Sequence, residues 1–341
     1  MQWSSLLALA LGAGTVRAML RFSCSELVIE RLDPLVFPGD NPSPHLHQVV
    51  GGNAFNVSMD PENDLPGLSD CTTCTFTEDF SNYWTAVLYF RARNGTFHRV
   101  PQMGNQFLEQ ADGGMTIYYI QPYDGTKVTA FQPGFRMLVG DPNERTYTDS
   151  LESRQLSFRC FDANFGGEAG APGTGADTRE LPNRPCLGGI RSNIFFPTCW
   201  DGVNLDSPDH RSHVAYPTSG SFEMGGPCPS SHPVKIPQLF YETVWDTRAF
   251  NDPNEWPEDG SQPFVFSMGD PTGYGQHADY VFGWKGDALQ RAMDANCNVM
   301  CPQLQSQDTS IANQCKQQRV VNEVVDGWVD ELPGTNPITY V

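Results

Sequence analysis

Six of the seven histidines of this 341-residue chain fall in four short clusters, each set among turn-forming residues. The first is Ser43-Pro44-His45-Leu46-His47-Gln48, followed closely by Gly51-Gly52. Side chains two apart on a strand share a face, so His45 and His47 can point at one ligand or one metal ion. A pair of surface histidines beside a tight glycine turn is the plain alternative. The second cluster runs from Asp201 through Asp206, Asp209, His210 and Arg211 to His213. Three carboxylates and two histidines at that density do not read as core, because charged groups are seldom buried unless paired; a solvated loop explains them as simply. The third, Cys228-Pro229-Ser230-Ser231-His232-Pro233, places a histidine between a cysteine and a proline and reads as structural. The fourth, Gly269-Asp270-Pro271-Thr272-Gly273-Tyr274-Gly275-Gln276-His277-Ala278-Asp279, is a glycine-rich loop carrying a His-x-Asp pair. Glycines let a loop pass close to a ligand, and a carboxylate two residues from a histidine can set its tautomer.

Two chemistries fit a convergence of these clusters. A divalent cation held by His45, His47 and His210, or by His213 in its place, would keep a position open for water or substrate. Alternatively, two of Asp201, Asp209, Asp270 and Glu242 would serve as the acid and base of a glycosidase. The serine-hydrolase elbow GxSxG, the zinc helix HExxH, the phosphate loop GxxxxGK[ST] and a dinucleotide fingerprint in a βαβ setting are all missing from the sequence.

The elements that must position these groups read as mainly β. Runs rich in aromatic and β-branched residues at 83–90, 115–120, 127–139, 156–161, 190–196, 239–245 and 264–268 are punctuated by Gly, Pro, Asn and Asp. That pattern predicts an antiparallel β-sandwich, jelly-roll-like, with long loops. Helices are expected over 287–295 and 320–331, with Cys297, Cys301 and Cys315 between them, as a small disulfide-stapled C-terminal helical segment. Residues 166–177, GGEAGAPGTGAD, form the best candidate for a flexible loop. One domain is expected over 19–341, with its core at about 21–295 and a cap over 296–341.

Residues 1–18 carry a short apolar run ending in Val16-Arg17-Ala18, which reads as a secretory signal peptide and not as a membrane anchor. Ten cysteines beyond it, and the sequons Asn56-Val57-Ser58 and Asn94-Gly95-Thr96, fit a secreted, disulfide-bonded glycoprotein. With 40 acidic against 21 basic residues, the formal charge is -19, which argues against nucleic acid and anionic membranes as partners. A monomer is expected.

The runs RFSCSELVIERLDPLV, HLHQVVGGNAF, NYWTAVLYF, PGFRMLVGD, GGIRSNIFFPTCWDG, LDSPDHRSHVAYP, CPSSHPVKIPQLFYE and GDPTGYGQHADYVFGW together resemble the DUF1996 family, a domain of unknown function in secreted proteins of fungi and some bacteria. The resemblance spans nearly the whole chain beyond residue 21, and it implies an extracellular polysaccharide context. On this footing the expected function is a carbohydrate-active hydrolase or lyase acting on extracellular or cell-wall polysaccharide, with a divalent metal ion as cofactor. His210, His213, Asp209, Asp201, His277 and Asp279 are its expected acid, base or ligand groups. Tyr83, Trp84, Tyr274 and Arg211 are expected to bind substrate, with core packing the rival role for Trp84 and Trp200. The alternative is a non-catalytic, wall-associated or effector protein whose histidine cluster binds metal or braces loops.

Overall fold

A computed structural model describes residues 19–104, 111–122, 125–163, 171–219 and 226–340. The proposed signal segment lies outside them, as does part of the glycine-rich stretch at 166–177. Two antiparallel sheets dominate. One runs in the order Met19–Cys24, Met115–Ile120, Gln238–Trp245, Ile190–Phe195, Leu156–Cys160, with Gln102–Met103 beside the central strand. The other runs Val28–Glu30, His47–Gly51, Asn82–Ala86, Ala278–Val281, Arg136–Val139.

The two-residue period of a strand puts Leu20, Phe22, Ile117, Tyr119, Leu239 and Tyr241 on one face of the first sheet. They meet Val50, Tyr83, Met137, Val139 and Tyr280 from the second in a single apolar layer. This is the antiparallel sandwich that the sequence predicts. The strands are buried on both faces, which is why they read as continuous apolar runs and not as clean alternation. On the far face of the five-stranded sheet, Val49, Trp84, Leu138 and Val281 are covered by Leu32, Leu35, Phe55, Met59 and Leu65 from the long connections at 31–46 and 52–81. The functional candidates lie under that cover.

Three local expectations are corrected. The run at 127–139 is a strand only over Arg136–Val139, because Pro133-Gly134 turns the chain, with Gly134 at φ 89° and Phe135 N–H donating to Gln132 O. The run at 83–90 is broken at Val87, and Leu88–Arg91 joins a separate four-stranded sheet. The helix expected over 287–295 is present as Ala288–Asp294, but 320–331 is irregular apart from the two-residue strand Trp328–Val329. There the N–H groups of Val320 and Val321 are claimed by the Glu30 carboxylate. Trp328–Val329 pairs as an edge strand with Phe97–Arg99. A segment holding Val320, Val321, Val324 and Val325 is also a poor helix former.

All ten cysteines are paired: Cys24–Cys74, Cys71–Cys315, Cys160–Cys186, Cys199–Cys228 and Cys297–Cys301. The end of the chain lies as a strap across two loops. Asn336 Nδ2 donates to Pro44 O (2.9 Å) and Ser267 O (3.1 Å). Further on, Thr339 N–H donates to Gly269 O (3.0 Å), and Arg145 Nε donates to Thr339 O (3.0 Å). Those two loops carry His45 and His277. Among the described residues no helix is long and apolar enough to cross a membrane.

Candidate metal centre

His47 opens its strand and pairs with Ala86. Ala278 pairs with Thr85, so the residue before it, His277, comes up on the other side of Ala86. Adjacent strands are about 4.8 Å apart, so the two histidines flank the alanine from about 10 Å across at Cα, with only a methyl group between them. His45, two residues before His47, falls on the same side, while Leu46 between them turns into a different apolar cluster.

The three rings converge there. Ring centroids are 4.3 Å apart for His45 and His47, 4.9 Å for His45 and His277, and 5.8 Å for His47 and His277. One nitrogen of each lies within 4.8 Å of the others. Backbone carbonyls set the tautomers: His47 Nδ1 donates to Leu32 O (3.0 Å) and His277 Nδ1 to Gly275 O (2.9 Å). Both Nε2 atoms therefore present lone pairs. His277 Nε2 accepts from His45 Nε2 at 2.9 Å, and His47 Nε2 is buried with no partner. Imidazoles anchored through Nδ1 on backbone carbonyls, with the Nε2 lone pair turned inward, are the usual outer arrangement of metal-binding histidines.

Burial, reinforced by the neighbouring histidines, holds His45 well below the ordinary imidazole range. Burial likewise pulls His47 and His277 down to about 4. All three are thus neutral at neutral pH, the form that ligates. A tetrahedral zinc with Zn–N of about 2.0–2.1 Å needs about 3.3 Å between ligand nitrogens. The 2.9 Å pair has to open by a few tenths of an ångström, and the His45 proton has to pass from Nε2 to Nδ1 for Nε2 to ligate.

Two buried carboxylates border the cluster. Asp33 Oδ1 accepts from the N–H groups of Leu35 (3.2 Å) and Val36 (3.0 Å), an Asp-Pro turn, and burial pushes its carboxyl up. Asp279 is fully buried and both of its oxygens lack partners. The loop bearing His277 is shaped by Asp270, also fully buried. Its Oδ1 accepts from Thr272 N–H (2.8 Å) and Oγ1 (2.6 Å), and its Oδ2 from Gly273 N–H (3.0 Å) and Gly275 N–H (2.8 Å). Gly140 packs against the His277 backbone so closely that a Cβ would stand 2.7 Å from His277 Cα.

The remaining sequence candidates are placed elsewhere or otherwise engaged. In place of His210, the structure sets His277 beside His45 and His47. His210 Nδ1 bonds Asp206 (2.7 Å), while its backbone O accepts from Leu138 N–H. His213 spends both nitrogens, on Ser207 Oγ and Arg136 O at 2.8 Å each, and so fastens the Arg136–Val139 strand. Asp209 organises its own turn through Ser207, Arg211 and Ser212, and those bonds, Ser212 N–H foremost, hold its carboxyl well below the usual range. Asp201 does the same for Val203 and Asn204. Arg211 is held by Glu152 and Gly140 O.

Tyr83 and Trp84 are fully buried and present no face to an incoming sugar. Tyr83 OH bonds Asp79 (2.6 Å), and Trp84 packs edge-on to Phe55. Trp200 is buried too, with Nε1 donating to Asn204 O. Tyr274 is partly exposed, with Tyr147 at 6.1 Å between centroids. Glu242 belongs to the Gln238–Trp245 strand of the other sheet, bonded to Tyr118 OH and 3.7 Å from Arg191. His232 caps Ser212 O at the surface. Sequence reasoning missed Asp33, although Asp-Pro after an apolar run is a turn signal. It also missed Ala86, whose smallness acquires meaning only from its register.

Neither the curated proteins nor the solved structures offer a match to this chain. The family described as domain of unknown function (DUF1996) matches residues 33–284, a span that includes His45, His47, Ala86, His277 and Asp279 and stops short of the C-terminal strap. The chain belongs to the DUF1996 family.

Proposed function

We propose that the protein is an extracellular metalloprotein that holds one divalent transition-metal ion on His45, His47 and His277. One observation carries this reading: three neutral imidazoles from distant parts of the chain converge, two of them anchored through Nδ1 on backbone carbonyls so that Nε2 faces the common space. An all-imidazole set suits zinc or copper better than magnesium or calcium, which take oxygen ligands. Secretion is supported by five disulfides and by the exposure of Asn56 and Asn94 of the two sequons.

Burial decides between the two roles such a site can have. His45, the most exposed of the three, is 4 % accessible. A polysaccharide strand has no access to such a group, so the geometry favours metal binding itself, or chemistry on something as small as water, over cleavage of a polymer at this ion. The test is metal stoichiometry by elemental mass spectrometry on the purified protein, the His45→Ala and His277→Ala variants, and His210→Ala. We expect about one ion per chain in the wild type and in His210→Ala, and its loss in the other two. Retention of the ion in His277→Ala, or its loss in His210→Ala, would refute the assignment.

A further inference from the structure

The three imidazoles bind an ion without neutralising it, and two residues beyond His277 sits a buried carboxyl group with nothing to bond. Asp279 is fully buried, and neither carboxylate oxygen has a hydrogen-bond partner. It follows His277 by two residues on the extended chain and therefore shares its side of the sheet. Its register partners there are Trp84 and Leu138. The Trp84 indole Nε1 is a buried donor that likewise has no partner. The cation whose field reaches Asp279 is Arg211, and that guanidinium is committed to Glu152 and Gly140 O. Other buried aspartates in this fold are satisfied: Asp79 by Tyr83 and Ser81, and Asp270 by Thr272, Gly273 and Gly275. Two buried carboxyl oxygens without a hydrogen bond are costly in either protonation state, and a nearby cation is the partner that would favour the ionised form.

We infer that Asp279 is the charge partner of the ion held by His45, His47 and His277, and that it makes the site selective for a divalent over a monovalent ion. The inference rests on the proposed metal centre and goes beyond it, because three neutral nitrogens supply no charge that distinguishes a divalent from a monovalent ion. The carboxylate oxygens of Asp279 stand outside the cluster of ring nitrogens. A water in the ion's fourth position would extend its reach by about 2 Å from metal to oxygen and about 2.7 Å onward to an acceptor, the way an outer carboxylate would act on the ion. Ala86 keeps the space between His47 and His277 open, since it lies between them in the same rung of the sheet, one residue pair away from the rung of Thr85 and two from that of Asp279.

Metal-free wild type and Asp279→Asn are titrated with Zn²⁺ against a chromophoric chelator and with Cu⁺ against a bicinchoninate competitor. The expected result is a loss of about 10- to 100-fold in Zn²⁺ affinity in the variant, the usual cost of removing an outer-shell partner, with Cu⁺ affinity little changed. An equal loss for both ions would show that Asp279 merely supports the fold. No loss for either would show that its charge is not felt at the site. Both results overturn the inference. Failure of the wild type to bind either ion sinks the metal centre itself, which is a separate outcome. Melting of the metal-free proteins reports whether Asp279→Asn folds, and Asp279→Ser, smaller and also neutral, serves for the same comparison if it does not.

Discussion

Asp79 offers the sharpest test of the energetics, because its environment predicts a dependence of stability on pH with a definite sign. The carboxyl is fully buried at the edge of the sandwich core. It takes a hydrogen bond from Tyr83 OH (2.6 Å) and one from Ser81 N–H (3.0 Å), and a chain of hydroxyls continues through Tyr119, which accepts from Trp284 Nε1, to Tyr280. Burial outweighs those hydrogen bonds and pushes its pKa from the ordinary 3.8 up to about 7. Between these two values the folded protein keeps a proton that the unfolded chain has released. Unfolding then sheds a proton, and stability falls as pH rises from about 4 to about 7 and levels off above it. A gap of about three pH units at about 1.4 kcal/mol each gives an upper bound of about 4 kcal/mol. Asp79→Asn removes the titration, keeps an acceptor for Ser81 N–H and offers an N–H to Tyr83 OH in place of the oxygen that accepts from it. Urea unfolding of both proteins at intervals from pH 4 to pH 8, with disulfides intact, gives the difference in stability at each pH, and other titrating groups cancel in it. The wild type should lose ground to the variant by up to about 4 kcal/mol across that range. A difference independent of pH would mean that Asp79 titrates normally in the fold. A wild type that gains on the variant as pH rises would mean that the carboxylate is paired with a cation, and either result refutes the reasoning.

Ala86→Leu is expected to abolish metal binding by filling the space between His47 and His277, at a cost of about 1–3 kcal/mol in melting experiments from overpacking; a variant that still binds the ion stoichiometrically would place it elsewhere. Deleting residues 333–341 removes the hydrogen bonds onto Pro44, Ser267, Gly269 and Arg145. Release of the ion to an excess of chelator should then be at least several-fold faster in stopped flow, while an unchanged rate would show that the strap does not gate the site. Asp270→Ala leaves the N–H groups of Thr272, Gly273 and Gly275 without their acceptor. It should cost about 2–4 kcal/mol in chemical denaturation and weaken metal binding through His277.

The class of fold was legible because strand composition and turn punctuation are local properties. Runs such as 115–120 and 239–245 declare themselves without reference to the rest of the chain. The error at 320–331 has the opposite origin. A period compatible with a helix was overridden by Glu30, nearly 300 residues away, whose carboxylate takes the N–H groups of Val320 and Val321. The site divides in the same way. That His45 and His47 share a side follows from the two-residue period of an extended chain. That His277 joins them, and that His213 is occupied by Arg136 O, depends on which strands become neighbours. Density of polar residues pointed to the segment 201–213, but such density also marks a loop that satisfies itself. Asp209 and Asp201 spend their carboxylates on their own turns.

Where the ion would sit also bears on what holds the two ends of the chain together. His45 and His277 are separated by 232 residues, and Cys71 and Cys315 by 244. Both links tie the first part of the five-stranded sheet and its cover to segments that arrive late in the sequence. Each closes a loop of similar length, so each removes a similar conformational freedom from the unfolded chain. An ion present at about a hundred times its Kd adds about 2.7 kcal/mol to stability, which is comparable with what a disulfide contributes. Two closures over overlapping stretches of chain are partly redundant, because once one is made the other has less entropy left to remove. Replacing Cys71 and Cys315 with serine should therefore destabilise the metal-free protein more than the metal-loaded one. If the two losses simply add in a cycle of melting experiments, the ion and the disulfide fasten independent parts of the fold, and the ion's place in closing this sheet is wrong.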